Sequence, residues 1–334
     1  MREYDFELRL AARLEAAGVP GSTPVPPGSL VARQLGTSVV GAGGRIMDLV
    51  AVAPGPEFEK RRPITAETIP PAAIESDVAV GRARQVTSAI DAPPAVAQEI
   101  ATRAAAVGFF ELGRRDGRTV ARQATRYPDW FGPILGIENK PDLGTPGDLA
   151  AQLRRDVSLQ VLDAVVLATA SHVTGAHKNR LPDPVGIWRF DPETSEIDVI
   201  KDPEPLEPAA KSFEIETERP GHFEVVPVSP EAKAKQRRRI AERAYGKGWR
   251  TFDLPGCDNL EPETVDGRSG LPYCSWADRL VEPAADCGPE CPGHEPASEP
   301  AIDLEAEREK HTPWKRDVPG AASHQTFLDR FQTD

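Results

Sequence analysis

The chain has 334 residues, of which 52 are acidic and 40 basic, for a net charge of −12, and 39% are hydrophobic. At roughly 100–200 residues per domain, this length predicts two domains or one with large additions, and the apolar fraction excludes a wholly disordered chain. No apolar run approaches the roughly 18 residues that span a membrane, and the charged start over residues 1–13 has no signal-peptide centre, so a cytoplasmic protein with no membrane partner is expected.

Only ten of the 40 basic residues are lysine, and 34 residues are proline. An acidic, lysine-poor, proline-rich chain suits a GC-rich organism with a salty cytoplasm. Taken over the whole chain, the acidic balance argues against a nucleic-acid partner.

Residues 3–17 read as a helix, with Phe6, Leu10 and Leu14 on one face. A Pro/Gly/Ser linker covers 18–29. Two strand-like runs follow, 30–35 and 45–53, separated by the turn Gly41-Ala42-Gly43-Gly44. Residues 54–71, broken by prolines, read as an extended excursion. Pro93 and Pro94 open a helix that runs to Val107. The runs 109–112 and 119–124 read as strands around a basic turn, Gly113 to Arg118. A helix and then a hairpin with a basic tip is how a winged helix ends, so 54–127 is expected to be an inserted winged-helix-like module. Residues 91–126 hold six arginines against four acids, a local net of +2. Winged helices resemble the helix-turn-helix readers that lay a helix in the major groove. Arg114, Arg115 and Arg118 are therefore candidate nucleic-acid contacts. A hairpin used only for protein contact is the competing reading.

After Trp130 an apolar strand, Phe131 to Ile137, ends in Glu138-Asn139-Lys140. A helix is expected over 146–161, with Leu149, Leu153 and Val157 on one face. The run 164–169 is apolar on both faces and reads as a central strand. A polar helix over 171–180 leads to hairpins over 185–200 and 213–228. Residues 231–250 carry eight basic residues against two acids, a local net of +6.

An acid, any residue, then lysine is common by chance, and the pattern occurs twice, at 138–140 and at Glu231-Ala232-Lys233. The second lies in the basic helix and has no partner. The first ends a buried strand, where alternation places Glu138 and Lys140 on one face. Asp48 interrupts the apolar run Ile46 to Val50, a costly position for a carboxylate unless it is paired or bound to metal. Glu7 lies in the first helix between Phe6 and Leu8.

This order (helix with Glu, strand with Asp, strand with Glu-x-Lys, helix, strand) resembles the PD-(D/E)xK nuclease superfamily, in particular its restriction-endonuclease-like and Holliday-junction-resolvase-like members. The resemblance implies an α/β fold with a restriction-endonuclease-like core, a mixed sheet flanked by helices, over 1–53 and 128–228. It implies Mg²⁺ (or Mn²⁺) held by Asp48 and Glu138, Glu7 as a further ligand, and Lys140 as the catalytic lysine. Gln152 stands where many members carry a helical Gln, although Asp156 replaces the tyrosine of that sub-pattern. Mg²⁺ takes one or two carboxylates plus water and substrate phosphate, polarises the phosphoryl group and lowers the pKa of the attacking water. Lys140 would orient that water or stabilise charge developing on the phosphate. In the superfamily the Asp and Glu strands are neighbours joined by a short turn. Here 54–127 intervenes, so the Asp48 assignment requires that segment to be an insertion. The chain also resembles an uncharacterised family of halophilic archaea. A like-charge run is more often a solvated helix face, but following such a core it makes Arg237, Arg238 and Arg239 candidate phosphate contacts.

Residues 229–294 are expected to form a basic helix and a Cys-rich metal-binding module. Cys257, Cys274, Cys287 and Cys291 are followed by His294, in the spacing C-x16-C-x12-C-x3-C-x2-H. In a reducing cytosol clustered cysteines favour metal over disulfides, here Zn²⁺ or a 4Fe-4S cluster, with His294 able to replace one thiol. Some nucleases of the resembled superfamily carry a C-terminal four-cysteine cluster with tighter spacing. Residues 295–334 read as a disordered tail. Its end resembles the peptide by which repair enzymes dock on the sliding clamp. Gln325, Leu328 and Phe331 match, while Gln332 stands in place of the second aromatic. Leu328 and Phe331 fall on one face of a helical turn. A short helix packing on its own domain is the alternative.

The combined reading is a Mg²⁺-dependent DNA nuclease of repair or recombination, with DNA, a sliding clamp and a second copy as expected partners. A non-catalytic DNA-binding protein on a nuclease-like scaffold, or a protein-interaction module, are the alternatives. The net charge does not oppose the DNA reading, because residues 251–294 carry −7 and 295–334 carry −4.

Overall fold

The first helix, α1 (Glu3–Ala17), buries Phe6, Leu8, Leu10 and Leu14 against Val31, Leu49, Leu135, Ile137, Val166 and Trp188. The structure, a computed structural model, describes residues 2–313 apart from 24, 27, 41–43, 65–68, 146 and 220. Gln325, Leu328 and Phe331 lie outside the described residues. Strands β1 (Leu30–Gly36) and β2 (Ile46–Pro54) pair antiparallel, Val31 opposite Ala51 and Leu35 opposite Met47.

Residues 54–132 then form a second compact unit, separate from the unit made by 2–53 and 133–313. Its elements are α2 (Phe58–Arg61), α3 (Pro71–Ile74), β3 (Arg84–Gln85), α4 (Val86–Ala89), α5 (Pro94–Ala106), β4 (Phe110–Arg115) and β5 (Arg118–Gln123). The strands form one sheet in the order β3-β5-β4, antiparallel throughout. Residues 54–71 were expected to be extended, yet α2 forms there. Its Arg61 is fully buried, donates to the Ile64 carbonyl at 2.8 Å and lies over the Trp130 ring at 5.9 Å. α5 buries Ala97, Ala101 and Ala104 along one stripe. The basic turn is shorter than expected. Arg115 pairs with Arg118, leaving Asp116-Gly117 as a two-residue turn with φ of 52° and 76°, the backbone of a type I′ hairpin. The two ends of the unit meet backbone to backbone. The Gly55 N–H donates to the Trp130 carbonyl at 2.5 Å, and a Cβ on Gly55 would sit 2.8 Å from that backbone, so only glycine fits.

The chain resumes with β6 (Phe131–Asn139), α6 (Leu149–Leu159) and β7 (Ala164–Thr169). β6 and β7 are parallel, Leu135 beside Ala164 and Glu138 beside Leu167, with α6 as the crossover. All six residues of β7 are buried, as its continuous apolar run predicts. α7 (Gly175–Lys178) realises one turn of the helix expected over 171–180, opened by a Thr174–His177 capping box. β8 (Gly186–Asp191) runs parallel to β7, and β9 (Glu196–Lys201) antiparallel to β8. The result is a mixed six-stranded sheet, β1-β2-β6-β7-β8-β9. The Asp48 and Glu138 strands are thus neighbours, although 54–127 separates them in sequence.

β10 (Ser212–Arg219) and β11 (His222–Val228) form a separate hairpin, with β10 against α6. α8 (Pro230–Lys247) lies against β1 and buries Ile240, Ala241, Ala244 and Tyr245. Its charge is partly consumed inside the unit. Arg237 donates to the Val161 carbonyl at 2.9 Å and pairs with Asp163 at 2.8 Å, which corrects its reading as a phosphate contact. Arg238 is exposed and Arg239 half-buried. Just beyond the helix, Arg250 pairs with Glu15 at 2.7 Å, both side chains 2% exposed, and Trp249 donates to the same carboxylate. This buried pair ties α1 to the end of α8.

A three-stranded sheet follows, β12 (Leu260–Val265), β13 (Arg268–Cys274) and β14 (Arg279–Leu280), then α9 (Pro283–Asp286) and α10 (Leu304–His311). The tail was expected to be disordered from 295, but α10 folds back. Its buried Arg308 donates to the carbonyls of Ala244, Tyr245 and Gly246 at 3.1, 2.7 and 3.1 Å, which satisfies the C-terminal end of α8. Among the described residues, no helix is long and apolar enough to cross a membrane.

Candidate functional site

Two donor clusters stand out, both in the unit formed by 2–53 and 133–313. The first gathers around the neighbouring strands β2 and β6. Asp48 and Glu138 line one cavity of about 650 Å³, together with Gln152, Arg45, Asp156 and Gln34. Asp48 accepts the backbone N–H of Asn139 at 2.8 Å, which ties it to the Glu-x-Lys segment itself. Glu7 of α1 joins through Gln34, whose Nε2 donates to Glu7 at 3.2 Å and to Asp48 at 3.4 Å. Gln34 reaches both because its backbone is left-handed, φ 54°, a strained state for a residue with a Cβ. Arg33 holds Glu7 from the other side at 2.6 Å.

The position of Lys140 is different. It does not line this cavity. Its Nζ donates to Glu3 at 2.5 Å and its backbone N–H to the Ala168 carbonyl at 2.9 Å. The bond to Glu3 holds its ammonium above the ordinary lysine value, and the charge of Glu138 adds to this.

Sequence reading missed the central cation. Arg45, just before β2, donates to both Glu138 and Asp156, with Asp156 contacts at 3.1 and 3.2 Å. Asp156 is 1% exposed and lies one helical turn after Gln152 on α6. That i, i+4 spacing beside inward-facing Leu149 and Leu153 was the available signal. Arg45 carried none, since a glycine-rich turn hides where its side chain goes. Lys247 was also missed. Burial lowers its amine to about 8, and it donates to the Gln34 carbonyl at 2.9 Å.

The electrostatics follow from crowding. Burial first, then the charge of Asp48, pushes Glu138 up to about 8 despite Arg45. Burial lifts Asp156 to about 6, against the pull of Arg45. Asp48 is raised by burial and restrained by the Asn139 N–H, and Glu7 is raised by burial and restrained by Arg33. Burial works against the charge of Arg45, yet Asp156 and Glu138 hold its pKa above the ordinary value. Four carboxylates thus face two guanidiniums, Arg33 and Arg45, and the crowding is relieved by Glu138 keeping its proton up to about 8.

The second cluster is the cysteine pocket. Cys257, Cys274, Cys287, Cys291 and His294 line one cavity of about 530 Å³. Cys274 ends β13, Cys257 sits where 256–258 bonds to 295–297, and Cys287 and Cys291 flank a turn closed by the Cys291 N–H on the Gly288 carbonyl at 3.0 Å. All four thiols are free and half-buried. Burial, together with the charges of the other three, pushes the Cys287 thiol up to about 11. As the side chains stand, no group of three or more His, Cys, Asp or Glu among the described residues is arranged to hold a metal ion.

Of the arginines expected at nucleic acid, Arg114, Arg115 and Arg118 are exposed on the hairpin of the 54–132 unit. No curated protein and no solved structure matches the chain. Residues 30–296, which hold Asp48, Glu138, Lys140 and all four cysteines, match the DUF5787 family model, and the chain belongs to this family of unknown function.

Proposed function

We propose that the chain is a Mg²⁺-dependent DNA nuclease, with a restriction-endonuclease-like core and a winged-helix-like insert over 54–127. The observation that carries this reading is the meeting of Asp48 and Glu138 in one cavity on neighbouring strands, with Asp48 bonded to the backbone between Glu138 and Lys140. The donor set fits the ion. Two carboxylates in one cavity, Asp48 and Glu138, with room for water and phosphate, suit Mg²⁺ better than an all-protein cage. The bound ion would supply a polarised phosphoryl group and a more acidic water. Gln152, lining the same cavity, would orient that water through its carboxamide. Lys140 would exchange Glu3 for a phosphate oxygen and stabilise its developing charge. Arg45 would retain Asp156 when Glu138 turns to the ion.

The test is cleavage of plasmid, linear and branched DNA by the full-length protein in high KCl with Mg²⁺. Wild-type protein is expected to cut at least one of these, and Asp48→Ala and Lys140→Ala to lose about 10²-fold or more. Cleavage retained by both variants overturns the assignment. A second reading, a DNA-binding scaffold without catalysis, is favoured by Arg45, which already occupies Glu138 and Asp156 as a cation would. It predicts DNA binding with no Mg²⁺-dependent cutting.

The cysteine pocket supports a structural metal. Four free thiols from three separated segments line one cavity beside a small cluster of buried apolar residues, Leu254, Leu260 and Val281, with Phe252, Ile302 and Leu304 packed against it. A small satellite cluster of this kind is where a Zn²⁺ or 4Fe-4S site would contribute folding energy. Metal analysis and the visible spectrum of protein purified without oxygen distinguish the two. Metal-free protein with a fully folded module would exclude both.

A further inference from the structure

The arginines of the 54–132 unit sort by partner. Arg62 pairs with Glu59 at 2.7 Å, Arg122 with Glu111, and Arg126 with Glu57 at 3.3 Å. Arg82, Arg84 and Arg115 are exposed, and none has an acidic partner among the described residues. These three line a single concavity of about 370 Å³ whose other walls include Gln85 and Ser88, and no carboxylate lines it. They come from two places: β3 and the loop before it, and the end of β4. Arg118 stands beside it, donating to the Gln85 Oε1 at 3.2 Å. Alternation along β4 turns Arg114 to the opposite face from Arg115, so the sequence expectation is corrected in part. The cleft is built from Arg82 and Arg84 with Arg115, not from the hairpin tip alone.

Like charges gathered in a concavity repel, and each is better placed alone in bulk water. A pocket of guanidinium, carboxamide and hydroxyl donors with no acid is complementary to an anion with several oxygens. The planar fork of arginine matches phosphate in particular. We propose that Arg82, Arg84 and Arg115 form a binding cleft for backbone phosphates of duplex DNA. The choice of a phosphodiester over another anion rests on the nuclease reading above, while the cleft itself does not. A duplex offers regularly spaced phosphates to several guanidiniums at once, and its affinity then falls with salt in proportion to the phosphates neutralised.

The experiment is fluorescence anisotropy of a fluorescein-labelled duplex with full-length protein in EDTA, across a KCl series. Arg82→Ala/Arg84→Ala/Arg115→Ala is expected to bind about 10-fold or more weaker, with a log–log salt slope shallower by about 2–3. The matching triple lysine variant is expected to keep the slope and recover part of the affinity. Arg122→Ala, which removes a guanidinium already paired with Glu111, is expected to bind as wild type. Wild-type affinity and slope in the triple alanine variant overturn the proposal. So does a polyglutamate peptide that competes as well as unlabelled duplex, which would assign the cleft to an acidic peptide. The EDTA condition separates this result from hydrolysis. Binding lost in the triple variant, with no DNA cut by wild type in Mg²⁺, keeps the cleft and removes the nuclease reading.

Discussion

The carboxylate cluster and the cysteine pocket belong to the same compact unit, yet they are built in opposite ways. The carboxylates sit on or beside the central strands of a six-stranded sheet and carry their own partners: the guanidinium of Arg45 on Glu138 and Asp156, that of Arg33 on Glu7, and the neutral carboxamide of Gln34 donating to Glu7 and Asp48. Their positions are set by strand register and a large apolar core. The thiols sit on loops and strand ends around a small apolar cluster, Leu254, Leu260 and Val281, in a cavity whose cations, Arg2 and Arg279, both pair with Asp286. The difference teaches what holds each cluster in place. The first rests on the apolar core and on internal ion pairs, with burial holding the Glu138 proton up to about 8. The second sits on a small apolar cluster, where the structural metal proposed above would add a cross-link.

Arg45→Met breaks this comparison at its strongest point. It leaves Glu138 and Asp156 buried without a cation, and a loss of about 3–5 kcal/mol is expected in urea unfolding without metal. Unchanged stability would mean that the cluster does not rely on an internal counter-charge. Cys274→Ser or chelation probes the other side. Hydrogen exchange is expected to show faster exchange over 254–296, while the amides of β6 and β7 keep their protection. Equal loosening of both regions would erase the contrast.

Gly293→Ala is a smaller perturbation of the pocket. A Cβ there would lie 2.3–2.9 Å from ring atoms of Trp276, so the indole must move, at about 1–3 kcal/mol. A shift in tryptophan emission without a change in DNA cleavage is the expected result. The last test concerns pH. Glu138 has its folded-state pKa raised from 4.5 to about 8, so the folded state holds the proton more tightly than the unfolded chain. Its contribution to stability is therefore present below about 4.5 and is lost as pH rises toward 8. Glu138→Gln should flatten that slope in thermal melts without metal. Mg²⁺ binding should release protons below pH 8 and tighten as pH rises, measurable by calorimetry in two buffers of different ionisation enthalpy. Binding without proton release would place the ion elsewhere.

Much of the frame was legible locally. The spacing of Phe6, Leu10 and Leu14 predicts α1, and the continuous run over 164–169 predicts a strand buried on both faces. Asp48 inside an apolar strand and Glu138 at the end of another were conspicuous because burying a carboxylate is costly. The missed residues are those whose role depends on what lies opposite. Arg45, Gln34 and Lys247 are ordinary polar residues in sequence, and only the register of β1 with β2 and the packing of α8 on β1 bring them to the acids. The basic run 231–250 misled for the same reason. Net charge says nothing of direction, and Arg237 and Arg250 turn inward to Asp163 and Glu15.

The sequence by itself determined the main elements of the core, such as α1, β2, β6, α6 and β7, and singled out Asp48, Glu138 and the four thiols, because periodicity and burial cost act within a few residues. Tertiary structure decided which donors meet. It placed β6 beside β2 across the whole of 55–130, folded α10 back onto the end of α8, and split the hairpin arginines between two faces. Those outcomes depend on non-local strand pairing and on the distribution of counter-charges. The net charge of −12 averages over an acid-rich cluster and an arginine-lined cleft, and only the fold separates the two.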